Sequence, residues 1–177
     1  TDSYNNLIFE SRFINISSDV DTLTLTRSDV YTLIIEGQFN STGSGTYTFN
    51  IVPVAADPAP VPVNTGETVS GSIDVLGERD TYTFSLATDS RLYFDSLTND
   101  NSINWTLNGP PGALVSVRSF IMSDSMDIVN PVLNLVAGDY QLVVDAAGDH
   151  TGAYQFRLMD LASAMVITPG TAVSGDL

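Results

Sequence analysis

Clusters of oxygen-bearing side chains are where this sequence has the means to do chemistry. Asn99-Asp100-Asn101-Ser102 places consecutive oxygen donors in one short stretch. Asp124-Ser-Met-Asp127 does the same ahead of Val132, and Asp19-Val-Asp21 falls at the matching place earlier in the chain. Hard cations such as Ca²⁺ take carboxylate and carbonyl oxygens. Asp19, Asp21, Asn99, Asp100, Asn101, Asp124 and Asp127 are therefore the candidate Ca²⁺ ligands. None of these stretches matches an EF-hand loop or a glycine-rich nonapeptide repeat. The competing reading is a set of solvated turns, in which Asp bonds nearby backbone amides. Asp80, Asp139 and Asp145 are assigned to turn amides on the same ground.

Other chemistry is excluded more firmly. The single histidine, His150, sits in the polar turn Gly148-Asp-His-Thr-Gly152, and the chain has no cysteine. A zinc site needs several nitrogen or sulfur ligands, which this sequence does not supply. No nucleophile elbow or phosphate-cradling loop occurs. Carboxylate pairs for glycoside hydrolysis exist only in the sense that acids are abundant. No catalytic residue is assigned, and the chain is read as a non-enzyme. Trp105 is the sole tryptophan. Alternation puts Ile103, Trp105 and Leu107 on one face, which makes it a core residue. The alternative is a sugar-stacking platform, which makes Trp105 the candidate ligand-binding residue of a polysaccharide- or protein-binding module. The sequons at Asn15, Asn40 and Asn104 are read as chance matches.

Charge narrows the partners. Six basic residues, all arginine, face 21 acidic ones, for a net charge of −15. Phosphate backbones need clustered cations, so nucleic acid is excluded as a partner. Anionic membrane surfaces are excluded for the same reason. No apolar run is long enough to span a bilayer as a helix. Residue 1 is Thr, which reads as an internal segment or a processed chain.

The elements that would position these residues are strands. Thr22–Thr26, Thr46–Ile51, Thr81–Leu86, Tyr140–Val144 and Tyr154–Leu158 alternate apolar with polar residues and are rich in β-branched and aromatic types. That is the pattern of half-buried strands. Gly-, Asp- and Pro-bearing turns separate them, and no segment shows a helical period.

An internal repeat organises the strands. Tyr31-Thr-Leu-Ile-Ile-Glu-Gly37 resembles Tyr140-Gln-Leu-Val-Val-Asp-Ala146, and Gly45-Thr-Tyr-Thr-Phe49 resembles Gly152-Ala-Tyr-Gln-Phe156. Thr65-Gly66-Glu-Thr-Val69-Ser-Gly71-Ser-Ile73 matches Pro169-Gly170-Thr-Ala-Val173-Ser-Gly175-Asp-Leu177. The spacing is roughly a hundred residues, the size of one sandwich domain. Residues 64–162 then form one complete repeat, and residues 1–52 are the C-terminal part of a preceding one. The Pro-rich residues 53–63 make a semi-rigid linker. Residues 163–177 supply the first strand of a following repeat. A half-sandwich exposes strand edges. The tail is therefore expected to complete the N-terminal half, in the same chain or a neighbour, by strand addition.

In its complete repeat the chain resembles a known module. Val69-Ser-Gly-Ser-Ile73, Gly77-Glu-Arg-Asp80-Thr-Tyr82-Thr-Phe84, Leu92-Tyr-Phe94, Leu135-Val-Ala-Gly-Asp139-Tyr140-Gln-Leu142 and Gly152-Ala-Tyr154-Gln-Phe156 look like the bacterial pre-peptidase C-terminal domain. The resemblance implies a jelly-roll β-sandwich attached to secreted proteases or set in tandem in large surface proteins. It implies accessory roles and no catalysis. The expectation is thus an all-β chain of tandem jelly-roll-like antiparallel sandwiches, one complete and one partial. Its role is expected to be a structural repeat of an extracellular or bacterial cell-surface protein, adhesin-like or filament-forming. The alternatives are the binding module above and an accessory domain of a secreted hydrolase.

Overall fold

The computed structural model describes residues 1–11, 20, 22–37 and 42–175. It divides into two units, residues 1–55 and 56–177. Every strand among the described residues lies in the second.

Nine strands are joined in two sheets. β1 (Val61–Pro62), β3 (Arg79–Leu86), β8 (Gly138–Ala146), β5 (Ile103–Gly109) and β6 (Gly112–Ser119) lie in that order in one sheet. β2 (Thr68–Ile73), β9 (Gly152–Asp160), β4 (Ser90–Ser96) and β7 (Val132–Leu135) form the other. The pairings are nested: β2 with β9, β3 with β8, β4 with β7 and β5 with β6, all antiparallel. Successive pairs alternate between sheets. One long hairpin has been rolled up, which is the jelly-roll arrangement. The only helices among the described residues are single 3₁₀ turns at Phe120–Met122 and Leu161–Ser163. Neither is long enough to cross a membrane.

Alternation in sequence becomes alternation in burial. β8 buries Tyr140, Leu142, Val144 and Ala146, while β9 buries Tyr154, Phe156 and Leu158. β5 buries Ile103, Trp105 and Leu107. The centre is aromatic. Phe94 stacks on Trp105 at 4.0 Å and on Phe156 at 5.1 Å, with Phe120 edge-on to Phe94 at 5.5 Å. Offset and edge-to-face contacts of this kind add roughly 0.5–1.5 kcal/mol each beyond area burial.

The Pro-rich stretch is not a spacer throughout. Val61 and Pro62 pair in parallel with Tyr82 and Thr83, and the Val63 amide donates to the Thr83 carbonyl at 2.9 Å. An edge position tolerates proline because its missing N–H would face solvent. Upstream, Asp57 accepts the Arg79 amide at 3.1 Å and its guanidinium at 3.0 Å. This stretch is therefore fastened to the sandwich at two places.

The first unit carries both turn-local bonds and a few between residues 1–3 and 29–32. Asp2 accepts the amides of Tyr4 and Asn6, and its carboxyl sits below the usual range chiefly through the Asn6 side chain. Thr1 and Thr32 exchange amino and carbonyl bonds at 2.8 Å. The Tyr31 hydroxyl donates to the carbonyl of Arg27 at 2.9 Å, and the rings of Tyr47 and Phe49 stack at 6.3 Å. None of its described residues is in a paired strand.

The roll closes where β2 meets β9. Gly71 lies opposite Tyr154. A Cβ at Gly71 would stand 2.4 Å from the Tyr154 hydroxyl and 2.6 Å from that of Tyr82. The backbone there has no room for a side chain. Gly71→Ala is expected to destabilise the sandwich by about 1–3 kcal/mol through overpacking, seen as a lower Tm. Gly152→Ala, where a Cβ meets only ordinary contacts at 3.6 Å, serves as the control in the facing strand.

Candidate functional site

Asp100 spends its carboxylate on its own loop. Oδ1 accepts the amides of Ser102 at 2.7 Å and Ile103 at 3.3 Å, and Oδ2 lies 3.0 Å from His150 Nε2. Burial works against ionisation here, but the two amides and His150 hold the carboxyl below its usual value. Asn101 accepts from the Ser102 hydroxyl, and Asn99 is exposed. This is an Asx-type turn tied to a second loop, the use that short polar side chains most often find.

Asp124 differs. Its carboxyl is raised, first by burial and then by the carboxylates of Asp95 and Asp127. The Asp127 amide donates to the Asp124 carbonyl at 3.0 Å, closing the turn. Asp95 in turn holds Arg157, whose Nε lies 2.8 Å from Asp95 Oδ2. Asp19 and Asp21 lie outside the described residues. Among the described residues, no three or more His, Asp or Glu side chains converge as a metal cage.

Trp105 is fully buried, and its Nε1 donates to Ser123 Oγ at 2.8 Å. Ser123 passes the bond on to the Ser119 carbonyl at 2.6 Å. One ring face is taken by Phe94, and the Arg118 guanidinium lies 5.3 Å from the ring centroid. This corrects the ligand-binding assignment, because no ring face is available to a sugar. Burial also depresses the Arg118 pKa. Arg118 thus packs on an aromatic ring, whereas Arg79 and Arg157 pair with Asp57 and Asp95.

A polar network the sequence reading missed lies in the closing strands. The Tyr154 hydroxyl donates to Asp80 Oδ2 at 2.5 Å and sits 2.8 Å from the Tyr82 hydroxyl. Burial raises the pKa of all three groups. For Asp80, the carboxylates of Glu78, Asp74 and Asp57 add to burial, while the Tyr154 hydroxyl opposes it. Asp80 therefore accepts a phenol rather than a turn amide. Asp139 likewise accepts the Ser85 hydroxyl, and Asp145 accepts the amide of Ala146. The signal was present in Asp80-x-Tyr82 and Gly152-x-Tyr154, but only the strand pairing brings the three groups together. A tyrosine pair anchored on Asp80 ties β9 to β3. Two shallow depressions lie around Ser90 and Arg91, one toward Asp160 and the other toward Asn134.

No family model matches the chain, and no curated protein does. The chain is similar to a pre-peptidase C-terminal domain. That domain belongs to a collagenase from Bacillus anthracis; it shares 17% identity, with 56% of this chain and 94% of that one covered, at a TM-score of 0.45. PliG from Salmonella Typhimurium, a periplasmic inhibitor of g-type lysozyme, shares 18% identity over 57% of this chain and 97% of that one, with a TM-score of 0.43. PliG from Aeromonas hydrophila shares 13% over 59% and 99%, with a TM-score of 0.42. The topology given above stands on the strand pairing itself.

Asp124 carries a pH signature. A carboxylate with a raised folded pKa favours the folded state when protonated. Its cost is absent below the ordinary aspartate range and grows as pH rises through the raised value. Asp124→Asn is expected to raise the Tm at neutral pH. The gain should vanish below about pH 4, as followed by thermal melts across a pH series.

Proposed function

We propose that this chain is a non-catalytic structural repeat of a large bacterial extracellular or cell-surface protein, adhesin-like or filament-forming. The observation that carries this reading is the recurrence of local geometry at the repeat landmarks. The Tyr140 hydroxyl donates to the carbonyl four residues upstream, Val136, at 2.7 Å. Tyr31 does the same to Arg27 at 2.9 Å. Tyr154 and Phe156 stack at 6.5 Å and 19°, and Tyr47 and Phe49 at 6.3 Å and 22°. Gly66 and Gly170 open their respective segments with φ of 83° and 84°. A shared sequence pattern with the same side-chain geometry supports reading the two stretches as equivalent parts of successive copies.

The chemistry agrees with that role. The oxygen donors near the sandwich mostly serve its own amides and hydroxyls, and Trp105 serves its core. The acidic surface suits an environment in which salt or divalent cation screens self-repulsion. Within this reading Ca²⁺ acts as a loosely held counter-ion beside Asp124, whose carboxyl is crowded by Asp95 and Asp127, and not as an ion in a coordination cage. Millimolar Ca²⁺ is then expected to raise the Tm of the wild-type chain and to leave Asp124→Asn unchanged. Equal responses in the two proteins remove the calcium proposal.

The module reading has its own test. Residues 56–163 produced alone should melt in one cooperative transition, at the temperature of the main transition of the 177-residue chain. A fragment that is unfolded, or that melts much earlier, contradicts an autonomous repeat.

A further inference from the structure

We infer that residues 169–175 of one copy add as a strand to residues 45–51 of a second copy, in the register that β2 takes on β9. The inference rests on the repeat reading above and goes further, by naming the partner, the segments and the register.

Residues 45–51 offer a face without a cover. Tyr47, Phe49 and Ile51 are 66%, 49% and 72% exposed. Their counterparts in β9, Tyr154, Phe156 and Leu158, are 1%, 0% and 2% exposed. In the sandwich, part of that burial comes from β2, an edge strand whose sole hydrogen-bonded neighbour is β9. A β2-like strand therefore needs only one partner. Residues 169–175 have the β2 sequence and begin with the same glycine turn. Neither segment is paired into a sheet.

The register follows from the repeat. Val69 faces Phe156 and Gly71 faces Tyr154, so Val173 faces Phe49 and Gly175 faces Tyr47. The Gly66 amide donates to the Leu158 carbonyl at 2.7 Å, so the Gly170 amide donates to that of Ile51. Glycine at 175 is what this register demands, because at Gly71 a Cβ would run into the facing tyrosine.

Charge points to the same contact. Two chains of net charge −15 repel, yet neither 45–51 nor 169–175 contains a charged residue. Acidic chains can approach closely along neutral strands of this kind. A reciprocal twofold exchange forms the contact twice and covers two aromatic rings in each copy. The rings are 66% and 49% exposed, so at roughly 150–250 Å² for a whole ring the four together contribute about 350–600 Å², to which the strand backbones and the matching partner surface add toward the roughly 1,000 Å² that a specific interface needs.

The full chain has no cysteine of its own, which makes cross-linking clean. Phe49→Cys and Val173→Cys chains are mixed and mildly oxidised. A disulfide-linked heterodimer is expected, because facing residues on antiparallel strands bring their Cβ atoms to about 4.5–5.5 Å. Pairing Phe49→Cys with Ser174→Cys should give about tenfold less product, since a one-residue slip turns the side chain to the other face. In sedimentation, the wild-type chain should exceed monomer mass. Gly175→Val should return it to monomer with the near-ultraviolet dichroism of the sandwich unchanged. A monomeric wild-type chain with no heterodimer overturns the inference. So does a disulfide that forms only when both cysteines are in one chain, because the strand is then supplied internally. Either result leaves the melt of residues 56–163 untouched, so failure here is separable from failure of the module reading.

Discussion

The closure of β2 on β9 is the contact on which the sandwich depends. A rolled hairpin is nested, so its outermost pair brings together the most distant parts of the sequence. Here residues 68–73 meet residues 152–157. Every inner pair can form with a shorter loop. The entropy of the longest closure has to be offset at this one place. The sequence concentrates its means there. Gly71 lets the backbone approach the Tyr154 ring, and Tyr82 and Asp80 supply the hydroxyl and carboxylate that satisfy it. A buried phenol without a partner would cost on the order of 1–3 kcal/mol. The network avoids that cost and fixes the register as well, since a slip by one residue would put Ser70 or Ser72 where Gly71 must be.

Inside this frame, Asp80 is the carboxylate that reaches the aromatic core, through the Tyr154 hydroxyl. Phe94, Trp105, Phe120 and Phe156 form one contiguous stack, and the other acids lie in turns and on the outer faces. Asp100 and Glu78 bind backbone amides of their own loops, Asp145 binds the amide of the next residue at the end of β8, and Asp57 reaches the Arg79 amide. Several arginines are committed too: Arg79 and Arg157 to carboxylates and Arg118 to the Trp105 ring. With a net charge of −15, the field around the protein is repulsive toward other acidic surfaces. Any association with another acidic chain would have to come from backbone hydrogen bonds and apolar side chains, which act at short range and are insensitive to net charge.

Much of the architecture was legible because strand period is a local property. Ile103-x-Trp105-x-Leu107 and Tyr154-x-Phe156-x-Leu158 declared their buried faces, and the structure buries those residues. The same alternation argued that Trp105 is a core residue rather than a sugar platform. What was not legible depends on pairing between distant strands. Asp80 looked like a turn residue because its partner, Tyr154, is 74 positions away. Nothing near Arg118 in sequence reveals the Trp105 ring beneath it. The Pro-rich stretch looked like a spacer because proline statistics do not reveal that Val61 and Pro62 find a sheet edge to lie on. The calcium candidates show the same limit. Asp100 and Asp124 sit in similar sequences, yet one is neutralised by its loop and by His150 while the other is crowded by Asp95 and Asp127.

A module closed by its own outermost pair has a consequence for chains that carry copies in series. The closing strand is an edge strand with one neighbour, so its bonds are the same whether it arrives from its own copy or another. The competition is decided by effective concentration and strain rather than by contact energy. A short tether that reaches in register favours internal closure; a stiff or badly placed one favours exchange between copies. Proline-rich residues 53–63 are fastened to the sandwich through Asp57 and Val61–Pro62, which limits their reach. The specificity of closure nevertheless stays the same in either case, because it resides in the glycine-against-tyrosine fit and in the turn before it. Under the proposed exchange, an exposed Tyr47-x-Phe49-x-Ile51 face would be selective: among strands of this sequence type, it would accept one with glycine opposite Tyr47 and disfavour one with a side chain there.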